Sequence, residues 1–364
     1  MTEFPKAPIG ISLPREYQDR KDEELRERIL AHKERLGDEL TILGHHYQGD
    51  AIVDLSDFIG DSFKLCRDAA DATAKYIVFC GVRFMAESAR ILARDDQVVI
   101  HPEESAGCPM ADMADLPQVE QAWELLTKMN PGRTIVPITY MNSSSEIKAF
   151  CGAHGGSVCT SSNARGVLDW AYAKGDMVLF FPDEHLARNT AHNMGMDASD
   201  ILIWNPKYAE AHGRDERYSQ ARLVVWKGFC HVHTFFKKEH IDAIREKYPD
   251  AFVIVHPECP REVVEACDDA GSTEAIVRRV REAKAGETIA VGTEINLVSR
   301  LAKQNPDVKV VPVMPSMCLN MAKVTLGHLL WVLDNLGAEN VVKVNPEIKE
   351  NARKALQQML DISQ

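Results

Sequence analysis

The chain of 364 residues carries nine cysteines, at positions 66, 80, 108, 151, 159, 230, 259, 267 and 318, yet it has no Cys-x-x-Cys pair. That absence argues against zinc ribbons and thioredoxin-like sites. An odd number of cysteines at sparse spacing also argues against a disulfide framework, which a reducing cytosol would not sustain. Positive charge is in deficit too. The formal net charge is −12, whereas nucleic-acid binding draws on a basic face that neutralises phosphates. No apolar run approaches the roughly 18 residues that span a bilayer. The opening stretch, "MTEFPKAPIGISLPREYQ", lacks a basic region followed by an apolar one, so no secretory leader is expected. These absences leave small-molecule chemistry in the cytoplasm, with no nucleic-acid or membrane partner.

What is present is ordinary for a globular protein with a core: 45% hydrophobic and 26% charged residues, in a length that fits two or three domains. Nine apolar runs read as strands: "LTILGHH", "YIVFCG", "QVVIHP", "TIVPITY", "MVLFFP", "RLVVWKG", "FVIVHP", "TIAVG" and "VKVVPV". Amphipathic helical patterns separate them. Buried β-branched runs alternating with helices predict an α/β fold of parallel sheets with helices on both faces.

The chain also repeats itself. Three strands end in a polar triplet: "HHY" with His45 and Tyr47, "YMN" with Tyr140 and Asn142, and "HPE" with His256 and Glu258. A hydroxyl residue at an expected helix start follows each one: Ser62, Ser161 and the pair Ser272–Thr273. Another strand and turn come next, at Gly81, Pro182 and Gly292, and a last strand then leads to a cysteine: Cys108, Cys230 and Cys318. Four markers in one order predict three similar αβα domains with short parallel sheets around a pseudo-threefold axis. The expected bounds are a lead-in segment and helix over 1–40 and repeats over 41–116, 117–238 and 239–335. The middle repeat carries an insertion near 188–222, where "YAEAHGRDERYSQ" reads as a solvated loop. A terminal strand and helix over 336–364 are expected to pack on a domain surface, with Ala352, Leu356 and Met359 on one face.

Ligands of parallel α/β units collect beyond the carboxyl ends of the strands, where every marker lies. Three converging thiolates and a histidine would suit zinc, but zinc ligands usually come in close sequence pairs. An iron–sulfur cluster tolerates remote ligands. A [4Fe–4S] cube held by three cysteines keeps one iron open as a Lewis acid, which points to catalysis more than to electron transfer. The hydroxyls at helix starts suit carboxylate or phosphate, and each also reads as an ordinary helix cap.

The motifs "GHHYQGDAIVDLSDFIGDS", "ITYMNSSSEIKA", "CTSSNA", "WKGFCHVH", "VIVHPECP" and "VGTEINLVSRL" together resemble the quinolinate synthase A family, from about Thr41 to Met321. The resemblance implies three α/β domains around one [4Fe–4S] cluster per chain. It also implies condensation of iminosuccinate with dihydroxyacetone phosphate to give quinolinate, for NAD biosynthesis, and a transient contact with the enzyme that supplies iminosuccinate. Motif by motif, the cluster ligands fall on Cys108, Cys230 and Cys318, the same three that the repeat selects. Iminosuccinate contacts fall on His45, Ser62, Tyr140, Met141 (by backbone), Asn142, Ser161, His256, Pro257, Glu258 and Thr273, with Ser272 beside the last. Some members carry a Cys-x-x-Cys-x-x-Cys at the final cysteine. This chain has Cys318 alone, which argues against a regulatory disulfide there.

For the proton transfers, Tyr47 and Glu258 are the expected carriers, with His45 and His256 orienting oxygens. His46, Cys66, Cys80, Cys159, Cys259 and Cys267 are read as structural. His231 and His233 flank Cys230 and Glu294 reads as an organiser or a helix-end carboxylate. The competing readings are another [4Fe–4S] hydro-lyase of the aconitase kind, a non-enzymatic iron–sulfur sensor and a zinc-stabilised structural protein.

Overall fold

A computed structural model of the chain describes residues 13–363, so the first twelve residues of the expected lead-in lie outside the described residues. The chain forms two compact units. The first comprises the described residues up to Gly60, Lys64–Gly107 and Cys318–Lys343; the second comprises Asp61–Phe63, Cys108–Met317 and the segment from Val344 onward.

In the first unit, β1 (Leu40–His45), β2 (Phe58–Gly60), β3 (Tyr76–Cys80) and β4 (Val98–Ile100) make a sheet of order β2-β1-β3-β4. Every pairing is parallel. Ile42, Leu43, Ile77, Val78, Val99 and Ile100 are all fully buried, without the in–out alternation of a one-sided sheet. The helix Asp22–Leu36 buries only Leu25 and Ile29 of its charged surface. Full burial of one such side chain contributes about 1.5–3 kcal/mol. The helix Leu326–Asp334 joins the same core through Leu329, Leu330, Val332 and Leu333. Its last residue, Asp334, accepts hydrogen bonds from Tyr17 (2.9 Å) and Arg28 (2.7 Å), with His32 Nε2 also at 2.7 Å.

The second unit holds two sheets. β5 (Ile135–Tyr140), β6 (Ser157–Cys159), β7 (Met177–Phe181), β8 (Ile201–Trp204) and β9 (Leu223–Trp226) are ordered β6-β5-β7-β9-β8. β10 (Phe252–Val255), β11 (Asp269–Ala270), β12 (Thr288–Gly292) and β13 (Lys309–Pro312) are ordered β11-β10-β12-β13. All pairings are again parallel. The three sheets share one strand order, and β8 is an added edge on the middle one. The fold is therefore α/β, built on short all-parallel sheets flanked by helices.

The nine apolar runs are nine of these strands. The other four are edge strands: β2, β6 and β11 have only two or three residues, and β8, an apolar Ile-Leu-Ile-Trp, lies inside the expected insertion. The segment after β8 departs from the expected solvated loop. It winds into short helical turns, Pro206–Tyr208, Ala209–His212 and Glu216–Ser219, around a buried Tyr218. The Tyr218 hydroxyl donates to the Ile203 carbonyl (2.7 Å), and its ring meets Trp204 edge-on at 5.4 Å.

The last helix, Pro346–Ile362, buries Ala352, Ala355, Leu356 and Met359. It lies so close to the helix Ser145–Ala153 that a Cβ on Gly152 would overlap the Asn351 carbonyl. Alanine in place of a helical glycine ordinarily gains up to about 1 kcal/mol. Here the opposing atom is backbone, and overpacking costs about 1–3 kcal/mol. Gly152→Ala is thus expected to lower stability, as thermal denaturation would read. No helix among the described residues is long and apolar enough to cross a membrane.

Candidate active site

Buried polar side chains gather at the strand ends. In the second unit, β5 ends at Tyr140 and β10 runs into His256, Pro257 and Glu258. The Tyr140 hydroxyl donates to the buried Glu258 carboxylate. His233 Nδ1 lies 2.6 Å from the same carboxylate, and its Nε2 lies 3.1 Å from the Thr293 hydroxyl. His256 stacks on His233, with ring centroids 4.2 Å apart and planes 14° apart. Its Nε2 is 3.2 Å from Ser161 Oγ.

Burial alone would push Glu258 up, but the two histidine rings and the bonds from His233 and Tyr140 outweigh it. The carboxyl is held below its usual range. Burial is also the main cause that drives His256 down to about 3, so it is neutral near pH 7. Its tautomer is fixed, because its Nδ1 accepts the Glu258 backbone N–H at 3.3 Å. Nε2 is left as the donor, aimed toward Ser161.

The same device holds the first unit's triplet. The Tyr47 backbone N–H donates to His45 Nδ1 (3.1 Å), so a neutral His45 also presents Nε2–H. The His45 and Tyr47 rings meet edge-on at 4.7 Å. His46 donates its backbone N–H to Gly60 and is buried, in keeping with a structural reading. The fully buried Gln48 donates to the Met321 carbonyl at 3.1 Å, three residues past Cys318.

The hydroxyls stand where the helices begin, with one exception. Ser62 is the first residue of the helix Ser62–Asp71. Ser272 caps the helix Thr273–Arg281 by accepting the Ala275 N–H, and Thr273 is buried behind it. Ser161 instead sits in the turn before the helix Ala164–Tyr172. Its neighbour Ser162 donates to Asp61 at 2.5 Å, which joins the turn of Ser161 to the start of the Ser62 helix.

Asn142 is half-buried beside Met141, whose backbone is largely occupied. The Met141 N–H donates to Cys159 (2.8 Å), and its carbonyl accepts from the fully buried Lys148 (2.9 Å). The same carbonyl also accepts the Ser143 N–H at 2.9 Å, so both of its lone pairs are engaged within the turn. Charged hydrogen bonds of this kind contribute about 1.5–3 kcal/mol each, so Lys148 fixes the turn firmly.

Of the nine cysteines, Cys66, Cys80, Cys151, Cys159 and Cys259 are buried, whereas Cys108, Cys230, Cys267 and Cys318 are partly exposed. Burial pushes the Cys80 and Cys267 thiols up to about 12, and those of Cys151, Cys159 and Cys259 also well up. Such thiols stay protonated and inert. Cys267 further donates to the Val263 carbonyl.

The loops of the other three are bonded in sequence. After Cys108, the Met113 carbonyl accepts Trp226 Nε1–H (2.7 Å), and Met113 Sδ accepts the N–H of Phe229, next to Cys230. After Cys230, the Val232 carbonyl accepts from Ser316 Oγ (2.8 Å), two residues before Cys318. After Cys318, Lys323 Nζ donates to the Ser105 carbonyl (2.7 Å), three residues before Cys108. Ligand atoms of Cys230, His233 and Glu258 lie within 4.8 Å of one another.

Several supporting residues had no sequence signal strong enough to name a role. His233 was visible only as a neighbour of Cys230. Asn189 donates to the carbonyls of Pro257 (2.8 Å) and Cys259 (2.9 Å) and so holds the Glu258 turn. Asp183 caps the helix Glu184–Asn193, and burial together with the nearby Glu258 charge raises its pKa well above the usual carboxylate range. Glu294 proves to be a helix-end carboxylate, which accepts the Asn296 N–H at 2.8 Å.

Residues 27–361 match the family model described as quinolinate synthetase A protein. The chain is 48% identical to a quinolinate synthase of Corynebacterium glutamicum, over 98% of this chain and 92% of that one. It is 49% identical to that of Haloarcula marismortui (96% and 95%) and 46% identical to that of Bacillus mycoides (97% and 97%). With nearly its whole length matched, the chain belongs to the quinolinate synthetase A family.

Proposed function

We propose that this chain is a cytoplasmic quinolinate synthase of NAD biosynthesis. It joins iminosuccinate to dihydroxyacetone phosphate and releases quinolinate, one phosphate and two waters. Cys108, Cys230 and Cys318 hold one [4Fe–4S] cluster. The observation that carries this reading is the bonding of each cysteine loop to the next, together with a buried Glu258 held by His233 and Tyr140. The donor set fits the group, being three partly exposed thiols, each in its own repeat. When bound, the cluster supplies a Lewis acid at an iron without a protein ligand.

The chain's own residues bind and move protons. His45 and His256, each fixed with Nε2–H outward, donate to carboxylate or carbonyl oxygens. Ser62, Ser161, Ser272 and Thr273 add hydroxyl and helix-end donors for the anionic groups of both substrates. Tyr140, Asn142 and Pro257 line the same strand ends. Glu258 is ionised at rest, so it opens a turnover as a proton acceptor, with Tyr140 and His233 as the adjoining donors. Tyr47 moves a second proton from the first unit's triplet.

Anaerobic reconstitution followed by iron, sulfide and quinolinate assays tests the reading; colourless protein that still makes quinolinate would overturn the cluster. A second reading has one observation in its favour. Cys230, His233 and Glu258 also suit a single zinc ion. Zinc without sulfide in the anaerobically purified protein would select it. Tyr47→Phe is expected to cut turnover by about 100-fold or more with the iron content unchanged, which is the cost of losing one proton carrier.

A further inference from the structure

The tripeptide His-Pro-Glu occurs twice, at 256–258 and at 101–103, directly after β4. Glu103 is buried like Glu258, and it too lies against a histidine. His328 Nε2 lies 2.7 Å from Glu103 Oε2, with both side chains 3% exposed. The parallel extends to position in the chain. His233 follows Cys230 by three residues, and His328 follows Cys318 by ten. The two pairs serve different ends, because Glu103 has its second oxygen committed to the backbone. Oε1 accepts the Ser105 N–H at 2.8 Å and shapes the loop that runs on into Cys108. On the other side, Thr325 Oγ1 lies 2.8 Å from His328 Nδ1 and caps the helix Leu326–Asp334, which fixes the ring on the segment that follows Cys318. Lys323 closes the same gap at its rim through the Ser105 carbonyl.

We propose that the Glu103–His328 pair, with Lys323, is a clasp that sets the spacing between the Cys108 and Cys318 loops and so positions two ligands of the cluster. The proposal rests on the cluster reading above for its function, but the spacing is a property of the chain itself. A buried polar pair of this kind is weak evidence for stability, since two apolar residues would often serve as well. What it supplies is a single fixed register between two loops that must present sulfur at a defined distance. Outer partners of this sort commonly govern metal retention.

Two measurements test it. In the reconstituted holoenzyme, Glu103→Gln is expected to release iron to a chelator about 10-fold faster than the parent, a typical cost of losing an outer partner. Lys323→Met, at the half-buried rim and compatible with folding, is expected to fall between them. A control, Arg245→Gln, breaks the surface pair with Asp268 and is expected to release iron at the parental rate. In the metal-free chain, a short bismaleimide is expected to join Cys108 to Cys318 in the parent, and both clasp variants are expected to lose the cross-linked peptide. A folded Glu103→Gln or Lys323→Met protein that keeps parental cross-linking overturns the clasp. Parental cross-linking that is lost in the variants, in a chain that takes up no iron or sulfide, would uphold the spacing and overturn the cluster reading instead.

Discussion

Glu258→Gln is expected to lower quinolinate formation by about 100-fold or more while leaving the chain folded, which is the usual cost of removing a positioned acid–base group. The amide keeps the shape and still accepts from Tyr140. It cannot take up a proton, and it leaves His233 without its carboxylate. Stability follows the sign of the shift. The folded pKa of Glu258 lies below its ordinary value near 4.5. The ionised carboxylate therefore stabilises the fold fully above that ordinary value, and the contribution is lost as pH falls through the depressed folded value. The Gln variant lacks it throughout, so its melting temperature should be lower at neutral pH and closer to the parent's at strongly acid pH. Activity near neutrality should show no limb from Glu258, because it is ionised across that range. Parental turnover in Glu258→Gln, by product assay, would remove the residue from the mechanism.

Cys230→Ser is expected to have the other large effect. Iron and sulfide retention should fall by about 100-fold or more, since losing a ligand costs at least what losing an outer partner does. The fold should survive, because Cys230 is partly exposed and opens a short helix rather than filling a core. Cys259→Ser gives the contrast. That thiol is fully buried in the core around β10, so its replacement should cost stability and spare the cluster. Equal iron content in Cys230→Ser and the parent would refute the ligand assignment. The two variants thus separate binding from packing in neighbouring parts of one unit.

The backbone plan was legible because parallel strands buried on both faces write continuous apolar runs. β1, β5 and β10 each end in a polar triplet because side chains there pass from the apolar core to buried polar surroundings. Edge strands such as Asp269–Ala270 left no trace, since two residues make no pattern. Site residues at strand ends were legible for the same reason as the strands. Their partners were not. His233 reaches Glu258 across 25 positions, and Ser162 reaches Asp61 across 101. Such pairings depend on how sheets are laid side by side, which no local spacing encodes. Lys148 was hidden differently: a lysine on an amphipathic helix reads as solvated until its turn is seen to carry bare carbonyls.

The cover of the first sheet has a consequence for how the protein is made. Leu329, Leu330, Val332 and Leu333 complete a core whose strands end at Ile100, more than two hundred residues earlier. Contacts of such long sequence separation form late, because loop closure must precede them. During synthesis the first sheet therefore holds an uncovered apolar face until the ribosome has passed Leu333. In that interval the exposed apolar face favours association between nascent chains.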